Sequence, residues 1–245
     1  MIMKIERVPT GIPGFDELIE GGFPKGSSTV VSGIPGSAKT TFAMQFIANG
    51  ALKYNEKSIF ITVEKNLNSL NRTYSLFGYD ILDLHKRGKL GVIDLEIKPE
   101  MGEDFLDQII SPKFLSKVKE FGASRVAIDP LNLVLQFSGD FGGERRGVQR
   151  LINAYNKLGC TLLLTYERIN QNENLEYEVA DFVVDGIIYL QLIKSMGSFG
   201  EKSFFERRLS ILKMRETNHA HGLYRFKIED DGIHVYSDIF LRAKK

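Results

Sequence analysis

The chain has 245 residues, of which 43% are hydrophobic, which is sufficient for one large α/β domain with a substantial core. Its formal net charge is +1, so overall charge does not indicate binding to nucleic acid or to a membrane surface. No apolar segment approaches the roughly 18–20 residues of a membrane span, and residues 1–9 lack a signal-peptide pattern. We therefore expect a cytoplasmic protein without a membrane partner.

The chain contains a single cysteine, Cys160, within the apolar run at residues 160–164. One cysteine excludes a disulfide within the chain, and a position in a buried strand favours a small core side chain over a reactive thiol. We therefore expect Cys160 to contribute to packing and not to chemistry.

Apolar runs alternate with amphipathic segments along most of the chain, and near the end the apolar runs follow each other directly. Strands are predicted at 30–32, 58–63, 90–95, 125–129, 161–166, 181–193, 204–215, 224–228 and 232–236. Helices are predicted at 10–24, 41–53, 67–77, 105–121 and 147–159. This order predicts an α/β fold with a mostly parallel central sheet, flanking helices and a C-terminal antiparallel hairpin that turns at residues 230–232. We see no repeat or linker and expect one domain over residues 1–245.

A glycine-rich turn, GIPGSAKTT at residues 33–41, lies between the first apolar strand and an amphipathic helix. This context is typical of a phosphate-binding P-loop, in which backbone N–H groups and the helix N-terminus bind phosphate oxygens. Lys39 is expected to reach the β- and γ-phosphates, and Thr40 to offer its hydroxyl to Mg²⁺. The residues expected to bind the nucleotide are Pro35, Gly36, Ser37, Ala38, Lys39, Thr40 and Thr41.

Ala38 departs from the usual P-loop pattern, because a glycine is expected before the lysine. Alanine keeps the N–H donor, but its methyl group restricts the turn. The turn still predicts a protein that binds a nucleoside triphosphate together with Mg²⁺.

Two carboxylates follow apolar runs at the expected carboxyl ends of strands. Asp129 ends the run 126–128 and is a candidate to hold Mg²⁺, although many strands end in Asp for turn chemistry alone. Glu64 ends the strand after the P-loop helix and is a candidate to activate the attacking water. Its alternative role is a carboxylate at the N-terminus of the following helix.

A basic pair near the end of the chain, Lys213 and Arg215, alternates with Leu212 and Met214 along a predicted strand. The alternation places both cations on one face and both apolar residues on the other. Two cations at one edge are suited to complete a phosphate site from a neighbouring subunit, and the alternative is a solvated strand face. His219 is a candidate contact to a sugar or base, or a loop residue.

Taken together, these motifs closely resemble a KaiC-type domain of the RecA superfamily, over nearly the whole chain. In chain order they are GIPGFDEL at 11–18, GGFP at 21–24, the P-loop, VE at 63–64, ID at 128–129, TYER at 165–168, ILKMRETNH at 211–219, GLYRF at 222–226 and DGI at 231–233. The resemblance implies a RecA-like P-loop NTPase core that assembles into a ring, often hexameric, with ATP and Mg²⁺ between subunits.

The resemblance also implies roles for single residues. Glu64 matches the first of a pair of glutamates, the one that activates water, whereas Lys65 replaces the second. Residues 179–185 lack the Ser-Thr pair that autokinase members carry at this place, so a phosphorylation cycle is not expected. The chain also has one copy of the domain, as in single-domain relatives.

Residues that the resemblance assigns to a neighbour's nucleotide lie near the end of the chain. Lys213 and Arg215 match the basic pair that reaches the neighbour's γ-phosphate, while Thr217 and His219 match residues near the neighbour's nucleotide. Glu216 replaces the glycine of this motif.

Three functions remain open at this point. The first is a slow, oligomeric, Mg²⁺-dependent ATPase. The second is a nucleotide-gated binding module with little turnover, because Ala38, Lys65 and Glu216 all depart from the pattern near the site. The third is a DNA-binding recombination accessory that uses Arg145 and Arg146 in a loop near residues 138–150, which is less favoured because the net charge is nearly zero.

Overall fold

In the computed structural model, residues 5–95, 105–136, 141–169, 178–195 and 204–236 are described. The strands are β1 (Arg7–Val8), β2 (Phe23–Pro24), β3 (Ser28–Gly33), β4 (Ser58–Thr62), β5 (Leu90–Asp94), β6 (Arg125–Asp129), β7 (Thr161–Glu167), β8 (Gly186–Ser195), β9 (Phe204–Met214), β10 (Tyr224–Glu229) and β11 (Gly232–Tyr236). The helices are α1 (Lys39–Lys53), α2 (Leu67–Tyr74), α3 (Ile81–Lys86), α4 (Phe105–Ile110), α5 (Pro112–Phe121), α6 (Leu131–Val134), α7 (Phe141–Lys157) and α8 (Val179–Val183).

A nine-stranded sheet forms the centre, with the strand order β11-β10-β9-β8-β3-β7-β6-β4-β5. The six strands from β8 to β5 run parallel to each other, and β9, β10 and β11 extend the β8 edge in antiparallel fashion. The predicted α/β fold, with its mostly parallel sheet and antiparallel C-terminal hairpin, is confirmed. The β1–β2 pair forms a small separate sheet.

The sheet separates two hydrophobic clusters, because successive side chains of a strand point to opposite faces. Val31, Phe60, Ala127 and Leu163 pack with helix α1 on one face. The neighbouring strand residues pack on the other face, in a cluster that includes residues of α4, α6 and α7. We call the first of these the α1 face. This alternation decides which strand-end side chains can reach the P-loop.

The predicted helix at 10–24 is wrong in extent. The helical part is a 3₁₀ turn at Asp16–Ile19, and Phe23–Pro24 is strand β2. Asp16 accepts hydrogen bonds from the backbone N–H groups of Thr10 and Gly11, at 2.8 and 2.9 Å. These bonds hold the segment in a tight turn, so it does not continue as a helix.

The predicted strand at 181–193 begins too early. Residues 179–183 form helix α8, and β8 starts at Gly186. A capping box in which Glu178 and Asp181 bond each other's backbone N–H groups starts this helix. The strand preference of the valines in this segment is overridden by these two side-chain bonds.

Other helical segments also differ from prediction. The helix predicted at 105–121 is divided into α4 and α5, because Ser111 caps the second helix at the backbone N–H of Phe114 and Pro112 occupies its first turn. Helices α3 and α6 have only six and four residues, too short to give a periodic apolar pattern.

Leu212 and Met214 do not lie on one face of β9, as the alternation predicted. Met214 packs on the α1 face, whereas Leu212 packs against the opposite cluster. A β-bulge is the cause: Ile187 pairs with Lys213 and Ile188 with Ile211, so Leu212 is the extra residue.

Cys160 is completely buried, and its thiol lies 3.2 Å from the carbonyl oxygen of Ala123. Burial raises the pKa of this thiol to about 11, which keeps it protonated at neutral pH. The prediction of a core side chain is confirmed.

Among the helices in the described ranges, we find none with both the length and the apolar character needed to cross a membrane.

Ala38, the residue before α1, has a left-handed backbone with φ of 80°. Glu216, which stands where the resembled family has glycine, is also left-handed, with φ of 57°. The structure therefore keeps a glycine-like backbone at both positions although each residue has a Cβ. This conformation costs an L-residue roughly 1–2 kcal/mol.

We predict that Ala38→Gly raises the free energy of unfolding of the nucleotide-free protein by up to about 1 kcal/mol, because the relieved strain exceeds the added entropy of the unfolded chain. Ala43→Gly, inside α1, is the matched control and is expected to lower it by about 1 kcal/mol or more. Urea denaturation measures both changes. Equal destabilisation by the two substitutions would contradict the strain at Ala38.

Candidate active site

The P-loop connects the carboxyl end of β3 to α1. The N–H of Ser37 donates to the carbonyl oxygen of Ile34 at 3.2 Å and closes the turn, while Pro35 and Gly36 are exposed at its tip. A Cβ on Gly33 would lie 2.4 Å from the carbonyl oxygen of Leu190, so glycine is required there. The backbone of the turn thus lies tightly against β8 at Gly33, whereas the tip of the turn at Pro35 and Gly36 is exposed to solvent.

Lys39 is the first residue of α1, and its ammonium nitrogen donates to the carbonyl oxygen of Ile34 at 3.0 Å. Burial lowers the pKa of Lys39, and the negative charges of Glu167, Asp129 and Glu64, in that order of size, oppose this shift. The ammonium group thus lies folded over the P-loop, and the charges of three carboxylates act on it. A phosphate group at the turn would replace the carbonyl oxygen as its partner.

Asp129 ends β6 on the α1 face and is 3% exposed. Its Oδ1 accepts hydrogen bonds from the hydroxyl of Thr40 at 3.2 Å and from that of Thr165 at 2.5 Å. Its Oδ2 is buried, and no hydrogen-bond partner reaches it from the described residues. Burial raises the pKa of Asp129, and the hydrogen bonds from Thr165 and Thr40 oppose this.

The pair of Thr40 and Asp129 is the place where this chain could hold a divalent cation. Among the described residues, no group of three or more His, Cys, Asp or Glu side chains could hold a metal. Mg²⁺ does not require such a group, since it commonly binds one or two carboxylates and takes its other ligands from water and substrate phosphates. The unpartnered Oδ2 of Asp129 fits this cation.

Glu64 follows β4 and is exposed. The backbone N–H groups of Glu64 and Lys65 donate to the hydroxyl of Thr62 at 3.3 and 3.2 Å, which fixes the chain as it leaves the sheet. Val63 packs against the cluster on the opposite face, whereas the charge of Glu64 acts on Lys39 at the P-loop. Helix α2 has Asn66 as its N-cap, at the N–H of Ser69.

Three residues near the P-loop were not predicted as site residues: Thr165, Glu167 and Asn132. Thr165 and Glu167 follow Leu163 at alternate positions of β7, so all three share the α1 face. Asn132 is the second residue of α6 and bonds the backbone of Glu167. The alternation of Leu163, Thr165 and Glu167 is a signal in the sequence, whereas the position of Asn132 depends on tertiary structure.

Lys213 and Arg215 lie at the end of the sheet opposite the P-loop. Gly33 pairs with Leu190 on β8, whereas Lys213 pairs with Ile187, which is roughly 10 Å nearer the other end. Arg215 follows beyond the end of β9. Neither cation can therefore serve the P-loop of its own chain in this fold.

The two cations are held by the connection between α8 and β8. Lys213 donates to the carbonyl oxygens of Asp181 at 3.2 Å and Val184 at 2.5 Å, and burial followed by the charge of Arg215 lowers its pKa. Arg215 forms an ion pair with Asp185 at 3.1 Å and is mostly exposed. The side chains of Lys213 and Arg215 thus lie together at the end of the sheet opposite the P-loop.

The side chain of Asp181 connects this edge to the P-loop strand. Arg168 is buried, donates to Asp181 at 2.5 Å and to the hydroxyl of Ser32 at 3.0 Å, and its backbone N–H donates to the carbonyl of Gly33. Since the carbonyl of Asp181 accepts from Lys213, Asp181 and Arg168 together link Lys213 to the P-loop strand.

The segment after β9 is held by Arg7, which sequence reasoning missed. Arg7 donates to the hydroxyl of Thr217 at 2.6 Å and to the carbonyl of Glu216 at 2.8 Å, and it pairs with Glu20 at 2.6 Å. These bonds hold the left-handed turn at Glu216. His219 lies further on, with its ring 4.6 Å from that of His221.

Three further predicted residues are Thr41, Arg145 and Arg146. Thr41 is half-buried in the first turn of α1, and its side chain interacts with that of Tyr74 in α2. Arg145 and Arg146 are exposed on α7, as expected of a solvated helix surface. The part of their predicted loop at residues 138–140 lies outside the described residues.

A family described as the KaiC ATPase matches residues 8–239. The circadian clock oscillator protein KaiC of Parathermosynechococcus lividus is 36% identical over 236 residues, which are 95% of this chain and 42% of that protein. The KaiC of Prochlorococcus marinus subsp. pastoris is 33% identical over 240 residues, 96% of this chain and 46% of that protein. The chain thus spans less than half the length of these curated relatives.

A crystal structure of a KaiC-like protein from the hyperthermophilic archaeon Pyrococcus horikoshii OT3 is similar in fold and in size. It superposes with a TM-score of 0.79 at 34% identity, covering 95% of this chain and 100% of that one. The family match extends over most of the chain and includes the P-loop, Asp129 and the basic pair. The chain belongs to the KaiC ATPase family.

Proposed function

We propose that this protein is a Mg²⁺-dependent ATPase that binds and hydrolyses ATP between copies of itself, in a ring of about six subunits. The observation that carries the proposal is the environment of Asp129. The hydroxyl of Thr40, in the first turn of α1, contacts one carboxylate oxygen at 3.2 Å, while the other oxygen is buried and has no partner in the part of the chain that is described. This arrangement is suited to a cation that also binds a phosphate on the P-loop.

Mg²⁺ would be held by Thr40 and by Asp129, directly or through water. When bound, it supplies positive charge to the β- and γ-phosphate oxygens. A cation at this place also compensates the buried negative charge of Asp129, which is otherwise costly.

In the proposed reaction, Lys39 exchanges the carbonyl of Ile34 for the β- and γ-phosphates. Glu64 accepts a proton from a water molecule whose oxygen attacks the γ-phosphorus in line. The bond from the γ-phosphorus to the bridging oxygen breaks, and ADP keeps the electron pair. Glu64 then releases its proton to solvent.

The neighbouring subunit would complete the site with Lys213 and Arg215, whose charges stabilise the transferring phosphoryl group. Their location at the edge opposite the P-loop supports this proposal, because a head-to-tail contact brings these two edges together. Thr217 and His219 follow the basic pair and would contact the neighbour's nucleotide. Lys213 must exchange its two carbonyl partners for phosphate oxygens on assembly.

A nucleotide-gated scaffold with little turnover is the second candidate. Lys65 stands beside Glu64 in place of a second carboxylate, and Lys213 is held by two carbonyl oxygens of its own chain. Both features favour slow hydrolysis. Tight ATP binding without phosphate release would identify this function.

The remaining parts of the proposal follow from the sequence. We propose one ATPase domain over residues 1–245 that acts in the cytoplasm and lacks autokinase activity, since residues 179–185 contain no hydroxyl side chain. DNA is not a proposed partner.

We predict that Glu64→Gln and Arg215→Ala each lower the rate of ATP hydrolysis at least about 100-fold, while an equal mixture recovers about a quarter of the wild-type rate. In the mixture, an intact Glu64 on one subunit meets an intact Arg215 on the next at one interface in about four. Phosphate release with Mg²⁺ and ATP measures all three samples.

Glu120→Gln, an exposed change on α5, is the control and is expected to keep the wild-type rate. If the mixture stays as inactive as its components, the site is not shared between subunits. If Glu64→Gln alone keeps wild-type turnover, Glu64 is not the base.

We predict that Asp129→Asn removes most of the Mg²⁺ dependence of ATP binding. Mg²⁺ is expected to tighten ATP binding to the wild type at least about 10-fold relative to EDTA, and the variant to lose this difference because its side chain is neutral. Calorimetric titration with a non-hydrolysable ATP analogue measures it. An unchanged Mg²⁺ effect in a folded variant would contradict the cation site.

A further inference from the structure

Three carboxylates lie at the ends of three adjacent strands, at the edge of the sheet that carries the P-loop. Glu167 ends β7, Asp129 ends β6, and Glu64 follows β4, and these strands are neighbours in the sheet. Alternation places Glu167 and Asp129 on the α1 face, since Leu163 and Ala127 precede them on that face. Glu64 lies just beyond β4, and its charge acts on Lys39, which relates it to the same side. Strands β7 and β4 lie on either side of β6, two strand spacings or roughly 10 Å apart.

Glu167 is placed beside the P-loop by the register of the sheet. It pairs with Gly33, and the next residue, Arg168, donates its backbone N–H to the carbonyl of Gly33 at 3.0 Å. Thr165, two residues earlier on the same face, reaches Asp129. Glu167 thus lies two residues beyond Thr165, at the end of β7 that adjoins the P-loop.

The side-chain amide of Asn132 forms hydrogen bonds to both the N–H and the carbonyl group of Glu167. Its side-chain oxygen accepts from the N–H of Glu167 at 2.7 Å, and its side-chain nitrogen donates to the carbonyl of Glu167 at 3.0 Å. Two complementary bonds from one amide fix the end of a strand in position and direction. The side chain of Glu167 is left out of this clamp and is half-buried at the site.

We infer that Glu167 is a second catalytic carboxylate, which orients the attacking water from the side of β7, and that Asn132 is its positioning residue. The inference rests on the proposed hydrolysis. It assigns a role that Glu64 alone does not fulfil, because one acceptor fixes only one of the two hydrogen atoms of the water. The second carboxylate is supplied by β7, which lies two strands away from β4, and not by the residue next to Glu64.

A water molecule has two hydrogen atoms, so two acceptors on opposite sides can fix the direction of its lone pair. Glu64 takes one proton as the oxygen–phosphorus bond forms. Glu167 accepts a hydrogen bond from the other hydrogen, which stays on the new phosphate. Of the three carboxylates whose charges raise the pKa of Lys39, Glu167 has the largest effect, consistent with a carboxylate directed at the phosphate site.

The test compares Glu167→Ala and Glu167→Gln with the wild type in phosphate release at saturating ATP and in the affinity for ATP and ADP. Glu167→Ala is expected to lower kcat about 10- to 100-fold, and Glu167→Gln less, because its amide oxygen still accepts a hydrogen bond. ATP binding is expected to remain within about 3-fold of wild type or to tighten, because a negative charge near the phosphates is removed. Glu120→Ala serves as the surface control.

A kcat within 3-fold of wild type for Glu167→Ala, or a loss seen in KM alone, would overturn the inference. Glu64→Gln is measured in parallel. If it is inactive while Glu167→Ala is active, the inference fails and the proposed hydrolysis stands. If the wild type binds ATP but releases no phosphate, the proposed function fails.

A double-mutant cycle tests Asn132. Asn132→Ala is expected to lower kcat about 10-fold in the wild type and to have no further effect in the Glu167→Ala background, because it acts through Glu167. Equal effects in both backgrounds would show a general structural role and would remove Asn132 from the inference.

Discussion

The buried carboxylate of Asp129 is the interaction on which the rest of the site depends. Its contacts with Thr40 and Thr165 join the P-loop helix, β6 and β7 at one point, while its second oxygen has no partner among the described residues. Burial raises the pKa of Asp129 and lowers that of Lys39, so each charge is costly without a ligand. The nucleotide with its cation would compensate both, and binding would therefore stabilise the folded chain.

The second constraint is the direction of the strands. Parallel strands bring the P-loop and the carboxylates to one edge of the sheet, and antiparallel β9 carries Lys213 and Arg215 to the other. A site that needs both groups must be formed by two chains. Asp181 connects the edges within a chain, because its carboxylate pairs with Arg168 and its carbonyl accepts from Lys213. Within one chain, Asp181 and Arg168 thus link Lys213 to the P-loop strand.

Much of this arrangement could be predicted from local sequence. The P-loop is a continuous motif, and apolar runs ending in a carboxylate predicted the position of Asp129. Alternation along β7 is a local signal for the face on which Glu167 lies, but its position beside Gly33 depends on strand order, and the clamp by Asn132 depends on tertiary contact. Helix α8 was predicted as strand because its valines favour strands, whereas the capping box of Glu178 and Asp181 decides the conformation.

The most direct measurement of the shared site is photo-crosslinking with an ATP analogue that carries a photoreactive group on the γ-phosphate. After digestion, mass spectrometry identifies the labelled peptides. The account predicts labels on the P-loop peptide and on the peptide of residues 213–217, which lie at opposite ends of the sheet within one chain. Labels confined to peptides from the P-loop edge would contradict a site completed by a neighbouring subunit.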